Sequence, residues 1–405
     1  MRICQINCVY GVGSTGKLTR DIHVNLKANG YESFVIAPLK NQYTSDEGVF
    51  TVSNKWLSFL SAFFRRGLGM QFDWACFQTW KILSILRKTK PEVVHLQCIN
   101  GNNINIYMLL RYLAKCNVKT VYTLHAEFPY TGGCGHAYNC ERWKTGCGKC
   151  PILREATQSP IIDGTHRTWK NQKKAYSLFR PDLLHFTAVS PWLLARADAS
   201  PMLKPFKKSV VMNGVDTSVF YYSRSSKKWR TRLGIGEQEK IFLHVTAGFF
   251  PNEVDLKGGR FILQIAEKLK FYPVKIVVAA NYGTADNLPS NVKYIGRTET
   301  QNDLADLYRE ADITVITSKR ETFSMPVAES MCCGTPVVGF RAGGPESIAP
   351  SDFSEFVDYG DVDKLCEAII SMIKKDMDKT VVSQCAVSLF SRTAMTESYI
   401  KMYLS

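Results

Sequence analysis

Residues 318–340, SKRETFSMPVAESMCCGTPVVGF, place two carboxylates, Glu321-x7-Glu329, around the expected start of a helix. The apolar run 313–317 reads as a strand that feeds the loop carrying Glu321. Ser324 is a residue type that caps helices, and Pro326 suits a first turn. Gly334 ends the helix. Free backbone N–H groups at a helix start attract phosphate. A carboxylate in front of that helix and another about one turn along it can each accept hydrogen bonds from sugar hydroxyls. Alone, Glu329 reads equally well as a stabiliser of the helix dipole. The whole stretch reads as a site for a phosphorylated, hydroxyl-rich ligand.

A second phosphate signal is GVGSTGKL, residues 11–18. Gly11-x4-Gly16-Lys17 is the front of a P-loop, but a P-loop needs Ser or Thr directly after the Lys to ligate magnesium. Here the position is Leu18, and Thr19 lies one residue late, about 100° further round a helix. The apolar runs downstream, VVHLQ and VYTLH, lack the terminal Asp of a Walker B strand. The stretch reads as a glycine loop at the mouth of a Rossmann-like domain, facing a ligand phosphate.

A third constellation is Cys134-x5-Cys140-x6-Cys147-x2-Cys150, in a loop rich in Gly and polar residues. The last pair has the spacing of a zinc half-site, and four thiolates complete a tetrahedral structural site. The first pair is spaced more widely than usual, and His136 could replace one thiol. A redox-sensitive or disulfide pair and free thiols are the alternatives. The other nine of the thirteen cysteines are scattered, many of them on apolar runs, and read as packing.

The elements that must position these residues alternate along the chain. Strands are expected at 2–9, 33–37, 93–96, 119–124, 184–188 and 209–212, with helical patterns between them. KLTRDIHVNLKANG, for example, ends at Gly30 as a C-terminal cap should. A polar stretch, 216–236, reads as a linker. Strands at 241–246, 275–279, 292–295, 313–317 and 336–340 follow, with helices at 258–269, 301–310, 326–333 and 362–374. Alternation of this kind implies parallel sheets. Two such series imply an α/β protein of two Rossmann-like domains facing a central cleft, with ligands at the C-terminal strand ends. The expected division is 1–215, with the Cys-rich loop 131–151; the linker 216–236; 237–385; and a C-terminal helix, 386–405, that crosses back to the first domain.

The chain has 405 residues, 45% of them apolar, and a net charge of +15. That balance favours anionic partners such as phosphorylated ligands or an acidic membrane surface. No basic-aromatic repeat suggests a nucleic-acid module. The segment KWLSFLSAFFRRG, 55–67, reads as an interfacial helix or as a core helix of the first domain. MRICQINCVY is a strand pattern without a signal-peptide cleavage region, so the expected location is cytoplasmic.

With these residues on the page, the chain resembles the family-four retaining glycosyltransferases, which have the GT-B fold. The resemblance rests on Glu321-x7-Glu329, GTPVVGF, the GGPES at 343–347, DLKGG at 255–259, and the glycine loop with its helix. PEVVHLQCING, TLHAEFPYTGGC, AVSPWL and VMNGVDTSVF recur in the family's order. The chain looks most like bacterial transferases of capsule, exopolysaccharide and O-antigen synthesis.

The resemblance implies a nucleotide-diphosphate sugar donor, a saccharide or lipid-linked saccharide acceptor, and retention of configuration with no metal cofactor in catalysis. It implies that Glu321 contacts the donor sugar and that Glu329 binds the ribose. Lys257 neutralises the leaving diphosphate, and the backbone at Phe323, Ser324 and Met325 contacts sugar or phosphate. His125 faces the donor sugar, while Gly13 and Gly16 let the first loop approach donor phosphate and acceptor. The family's usual Arg shortly before the Lys is missing from TAGFFPNEVDLKGG, which leaves Arg297, Lys319 or Arg320 as substitutes. DVD at 361–363 reads as a helix cap rather than a metal triplet. His95 ends a strand and either lines the cleft or is held structurally; His185 and His244 read as core. The competing readings are a P-loop-like NTPase and a basic, zinc-containing nucleic-acid-binding protein.

Overall fold

The computed structural model describes residues 1–405 except 53–58, 60, 64–65, 68, 70, 102, 160, 253–254 and 284–285. The chain divides into two units. The first comprises Met1–Met212 with Met395–Ser405, and the second Asn213–Ala394.

The first unit holds β1 (Arg2–Ile6), β2 (Glu32–Ile36), β3 (Val49–Phe50), β4 (Val93–Leu96), β5 (Lys119–Leu124), β6 (Leu184–Ala188) and β7 (Lys207–Val210). They form one sheet in the order β3-β2-β1-β4-β5-β6-β7. Its pairings are parallel. All four residues of β4 are buried, as a sheet covered on both faces requires. Helix Gly13–Ala28 buries Leu18, Ile22 and Leu26, a one-face stripe, against Ile3, Val93 and Val121. The strand order reverses between β1 and β4, where Gln5 lies beside His95. At such a reversal the loops leave in opposite directions and open a crevice for ligand. The glycine loop follows β1, and His125 follows β5.

The second unit holds β8 (Lys240–Phe249), β9 (Val274–Gly283), β10 (Val292–Gly296), β11 (Ile313–Ile316), β12 (Val337–Phe340) and β13 (Ser354–Val357). Their order is β10-β9-β8-β11-β12-β13, again with parallel pairings. The helices Gly259–Lys268 and Val362–Lys374 supply Phe261, Ile262, Ile265, Leu365 and Ile369 to its core. The reversal lies between β8 and β11. Lys257 follows β8, and Glu321 follows β11.

The stretch 216–236 is not a free linker. It belongs to the second unit and holds the helix Lys228–Leu233. Trp229 is 3% exposed. Its Nε1 donates to Asp303 O at 2.9 Å, and Glu310 accepts from the backbone N–H groups of Trp229 and Arg230. Arg309 donates to the carbonyls of Val219 and Tyr221. One tryptophan and three anchors outweigh the polar composition.

The C-terminal helix, Arg392–Leu404, carries the chain back into the first unit, where Met395, Tyr399, Met402 and Tyr403 join the core. β1 ends at Ile6, short of the expected Val9, because Asn7 turns toward the following helix and donates to Thr15 O and Thr19 Oγ1. Most of the segment 55–67 lies outside the described residues, including Trp56, Leu57, Leu60, Phe64 and Arg65. Its described Phe59 and Phe63 are exposed. Among the described residues, no helix is long and apolar enough to cross a membrane.

Trp229→Ala should destabilise the second unit by about 3 kcal/mol, the cost of emptying a buried aromatic site. Denaturant unfolding followed by a probe in that unit measures it. A loss below about 1 kcal/mol would mean that the stretch is not part of the unit's core.

Candidate active site

In the second unit, three loops converge beyond the C-terminal ends of β8, β11 and β12. The turn DLKGG is built on Asp255, whose carboxylate accepts from Lys257 N and Gly259 N, both at 2.9 Å. Lys319 N donates to Leu256 O and Thr317 Oγ1 to Lys257 O, which zips this turn to the loop after β11. Gly258 sits so close that a Cβ there would lie 2.2 Å from Thr317 O. On the other side, Glu321 N donates to Ala342 O at 3.0 Å, and Gly344 N donates to Glu321 O at 2.9 Å. A Cβ on Gly344 would lie 2.4 Å from the carbonyl carbon of Thr322. Glu346 closes the third loop by accepting from Ala342 N and Gly343 N.

This packing brings Lys257 Nζ to 2.5 Å from Glu321 Oε1. The two side chains are 38% and 20% exposed, so the pair faces solvent. An ion pair of that exposure is worth about 0–1 kcal/mol and is easily traded for another partner.

Phe323 is buried against Phe390, edge to face. Ser324 takes φ +88°, a conformation that L side chains rarely adopt. It precedes the helix Met325–Cys332 without a side-chain capping bond, so the expectation that it caps the helix is corrected. Its twisted backbone takes it out of capping geometry. Helix N–H groups in this first turn are available to an anion. Glu329 lies a turn along the helix and accepts from Tyr308 OH at 3.3 Å. Tyr308 is fully buried, and burial together with Glu329 holds its phenol well above the usual range.

Arg297 stands apart. It is exposed after β10, the edge strand two places from β8. Lys319 and Arg320, by contrast, share the loop of Glu321. The DVD triplet starts a helix, with Asp361 accepting from Lys364 N at 3.0 Å as its cap. His244 is core: Nδ1 meets Val315 O at 3.0 Å, and burial lowers its pKa.

In the first unit, Gly11 N donates to Gly16 O at 2.8 Å, folding the glycine loop over the helix start. Gly13 has φ +65°, and a Cβ on Gly16 would meet Val9 Cγ2 at 3.2 Å. The helix carries no acidic residue in its first turn and no side-chain cap. Thr19 is fully buried, and its hydroxyl donates to Thr15 O, so it is spent inside the fold. His125 follows β5 with Nε2 2.7 Å from Gln97 Oε1, and burial pulls its pKa down to about 4. His95 is also structural, buried between Thr123 and Tyr403.

Cys134, Cys140, Cys147 and Cys150 all line one cavity of about 20 Å³, with Gly132, Trp143 and Thr165. Burial pushes the thiols of Cys134 and Cys147 up to about 12. Among the described residues, no three His, Cys, Asp or Glu side chains stand together as a finished metal-ligand set. The expected zinc site is therefore present only as converging thiols. The loop is fastened by a residue that sequence reasoning passed over: Glu127, fully buried, accepts from Arg196 Nε, Tyr130 OH and Ala137 N. Asp255 and Gln97 were also missed as site builders, although both lie inside the quoted motifs DLKGG and PEVVHLQCING.

Residues 225–384 match the family of glycosyl transferases group 1. The colanic acid biosynthesis glycosyl transferase WcaC of Escherichia coli K12 is 22% identical over 330 residues, 79% of this chain and 78% of that protein. The N-acetyl-alpha-D-glucosaminyl L-malate synthase of Bacillus anthracis is 27% identical over 47% of this chain, and the match spans 50% of that protein. Among solved structures, Anabaena HepE in complex with UDP superposes with a TM-score of 0.68 at 14% identity, covering 99% of this chain and 98% of that one. WaaG, a glycosyltransferase involved in lipopolysaccharide biosynthesis, gives 0.65 at 13% identity, covering 99% of both chains. Residues 225–384 thus match the model of the glycosyl transferases group 1, in a chain that has the GT-B fold.

Proposed function

We propose that this protein moves a sugar from a nucleotide-diphosphate sugar to a saccharide acceptor, lipid-linked in the cell, with retention of configuration, in cell-surface polysaccharide assembly. The observation that carries this reading is Lys257 Nζ held 2.5 Å from Glu321 Oε1 beside the start of helix Met325–Cys332. A sugar diphosphate needs positive charge where the leaving group gathers its negative charge. The diphosphate draws Lys257 off Glu321, and the freed carboxylate accepts hydrogen bonds from donor-sugar hydroxyls. The N–H groups at Phe323, Ser324 and Met325 meet phosphate or sugar, and Glu329 accepts from the ribose. Lys319 and Arg320, which share the Glu321 loop, stand in better than Arg297 for the family's missing arginine. The bond from C1 to the diphosphate oxygen breaks, and its electron pair leaves with the phosphate. The acceptor hydroxyl attacks C1 from that same face and passes its proton to the departing phosphate oxygen.

The structures of HepE with UDP and with UDP-glucose make uridine donors the first to test. UDP or GDP should raise the melting temperature, whereas ATP with magnesium should not. Glu321→Gln should abolish transfer without unfolding the protein, and Lys257→Ala should lose mainly kcat. Activity of Glu321→Gln within about threefold of wild type, under 1 kcal/mol of barrier, refutes the role.

A membrane-facing surface fits a lipid-linked acceptor. On helix Cys76–Thr89, Phe77 and Trp80 are 55% and 57% exposed, Lys81 lies over the Phe77 ring, and Arg87 and Lys88 follow on the exposed side. Aromatic and basic groups together suit an anionic bilayer interface. Vesicles containing phosphatidylserine should sediment the protein at low salt and release it as salt screens the charge. A Phe77→Ser/Trp80→Ser pair should weaken this. No sedimentation at low ionic strength overturns it.

The four converging thiols support a structural zinc ion that orders the loop 131–151. Zinc analysis of untagged protein should find about one ion per chain, lost in a Cys147→Ser/Cys150→Ser pair. Metal-free, active protein with four titratable thiols refutes it.

A further inference from the structure

The sheet of the first unit carries polar side chains in its interior. Gln5 and His95 are 0% exposed, and Gln97 and Thr123 1%. Buried polar groups need partners, and each amide or imidazole must be oriented so that donors face acceptors. Here one fixed atom sets all the orientations. The backbone oxygen of Thr19 can only accept, and it lies 3.1 Å from Gln5 Nε2. Gln5 therefore turns its Oε1 toward Gln97, whose Nε2 donates to it at 3.2 Å. The Gln97 amide is thereby oriented too, with Oε1 facing His125 Nε2 at 2.7 Å. An amide oxygen cannot donate. The ring proton of His125 must lie on Nε2.

A second branch agrees with the first. Gln97 Nε2 also lies 3.4 Å from His95 Nδ1. A nitrogen of an amide NH2 offers protons, so His95 Nδ1 is the acceptor there. Tyr403 OH, 2.6 Å from the same nitrogen, is then its main donor. His95 Nε2 carries the proton and donates to Thr123 Oγ1 at 2.7 Å. Thr123 in turn meets Thr187 Oγ1 and Tyr399 OH, at 2.7 and 2.9 Å. Reversing any one amide would set acceptor against acceptor in a buried place, which costs far more than an ordinary hydrogen bond contributes.

We infer that Gln5 and Gln97 are positioning residues that fix the tautomer and ring orientation of His125. The inference rests on the reading of His125 as a residue that faces the donor sugar. With its proton on Nε2, a neutral His125 has a lone pair on Nδ1. That nitrogen suits a ligand group that donates, such as a sugar hydroxyl, and disfavours a carbonyl or carboxylate. Gln5 reaches the site only through Gln97, and Thr19 only through Gln5. A chemical choice at His125 is thus made three residues away, at a helix carbonyl. A misplaced group at a reacting centre can cost on the order of a hundredfold in rate, so such positioning matters.

The test uses the full-length protein with 15N-labelled histidine. His125 is assigned by the signal missing from His125→Gln. In wild type at neutral pH, its imidazole should be neutral with Nε2 protonated. Gln97→Leu removes the acceptor and should give mixed tautomers. Gln5→Leu, which leaves the Gln97 side chain in place, should do the same by freeing that amide to rotate. In transfer with the donor selected by the nucleotide panel, both variants should lose about tenfold, mainly in kcat. A protonated Nδ1 in wild type overturns the inference, and that spectrum decides even if a variant fails to fold. So does an unchanged Nε2 tautomer in both folded variants, whatever their rates. Wild-type transfer by His125→Gln overturns the donor-facing role alone, and the tautomer measurement separates that failure from the first.

Discussion

Direct packing of backbone on backbone is the constraint on which the second unit's site depends. Gly258 lies against the Thr317 carbonyl, and Gly344 against Thr322 and Phe323. At neither point is there room for a Cβ. The three loops beyond β8, β11 and β12 therefore hold one another at van der Waals distance, tied by Asp255 and Glu346. Lys257 and Glu321 meet because the loops meet; neither side chain has to pull the other into place. That division suits the proposed role of the pair, which is to open for ligand. The framework is fixed by packing and part-buried hydrogen bonds, while the pair itself is weak enough to be exchanged.

The first unit works from a different principle. Parallel sheets covered on both faces are normally apolar inside. Here Gln5, Gln97, His95 and Thr123 occupy that interior, and each finds its partner. The C-terminal helix completes the set with two tyrosines whose rings stack at an interplanar angle of 17°. Such a network gains little net stability over apolar packing, but it permits one arrangement and forbids the alternatives. That uniqueness extends to His125, where the network ends.

The parallel architecture was legible wherever apolar runs were bounded by turn residues. β4, β5 and β6 and the helix 301–310 fall where their patterns placed them. β3 and β13 were not legible: two and four half-buried residues make no periodic signal. β8 and β9 run on to Phe249 and Gly283, past the end of their apolar pattern, because the two strands keep pairing through Gly248 and Tyr282. Composition misread 216–236, since Trp229 and Arg230 are fastened by groups some eighty residues away. Of the site, the residue types around Glu321 were readable from local spacing, and Lys257 only through the family resemblance of its DLKGG turn. The pairing of those two side chains was not, and neither was the link from Thr19 through Gln5 to Gln97. These depend on strand register and on which way an amide turns. The four cysteines were readable as a cluster, but spacing alone could not say whether they close on an ion.

The return of Met395–Ser405 to the first unit has a consequence for how the protein is made. On the ribosome, the chain through Met212 emerges with all seven strands of its sheet but without Tyr399 and Tyr403. His95 and Thr123 must wait for partners that lie beyond the whole second unit. At ordinary rates of synthesis that delay is on the order of ten seconds or more. For that interval the nascent first unit lacks the two tyrosine hydroxyls and the cover of the C-terminal helix, and its polar interior is held only by the bonds among Gln97, His95, Thr123 and Thr187. The second unit, continuous in sequence, can finish first. Completion of the fold therefore runs against the order of translation: the half made first is the half finished last.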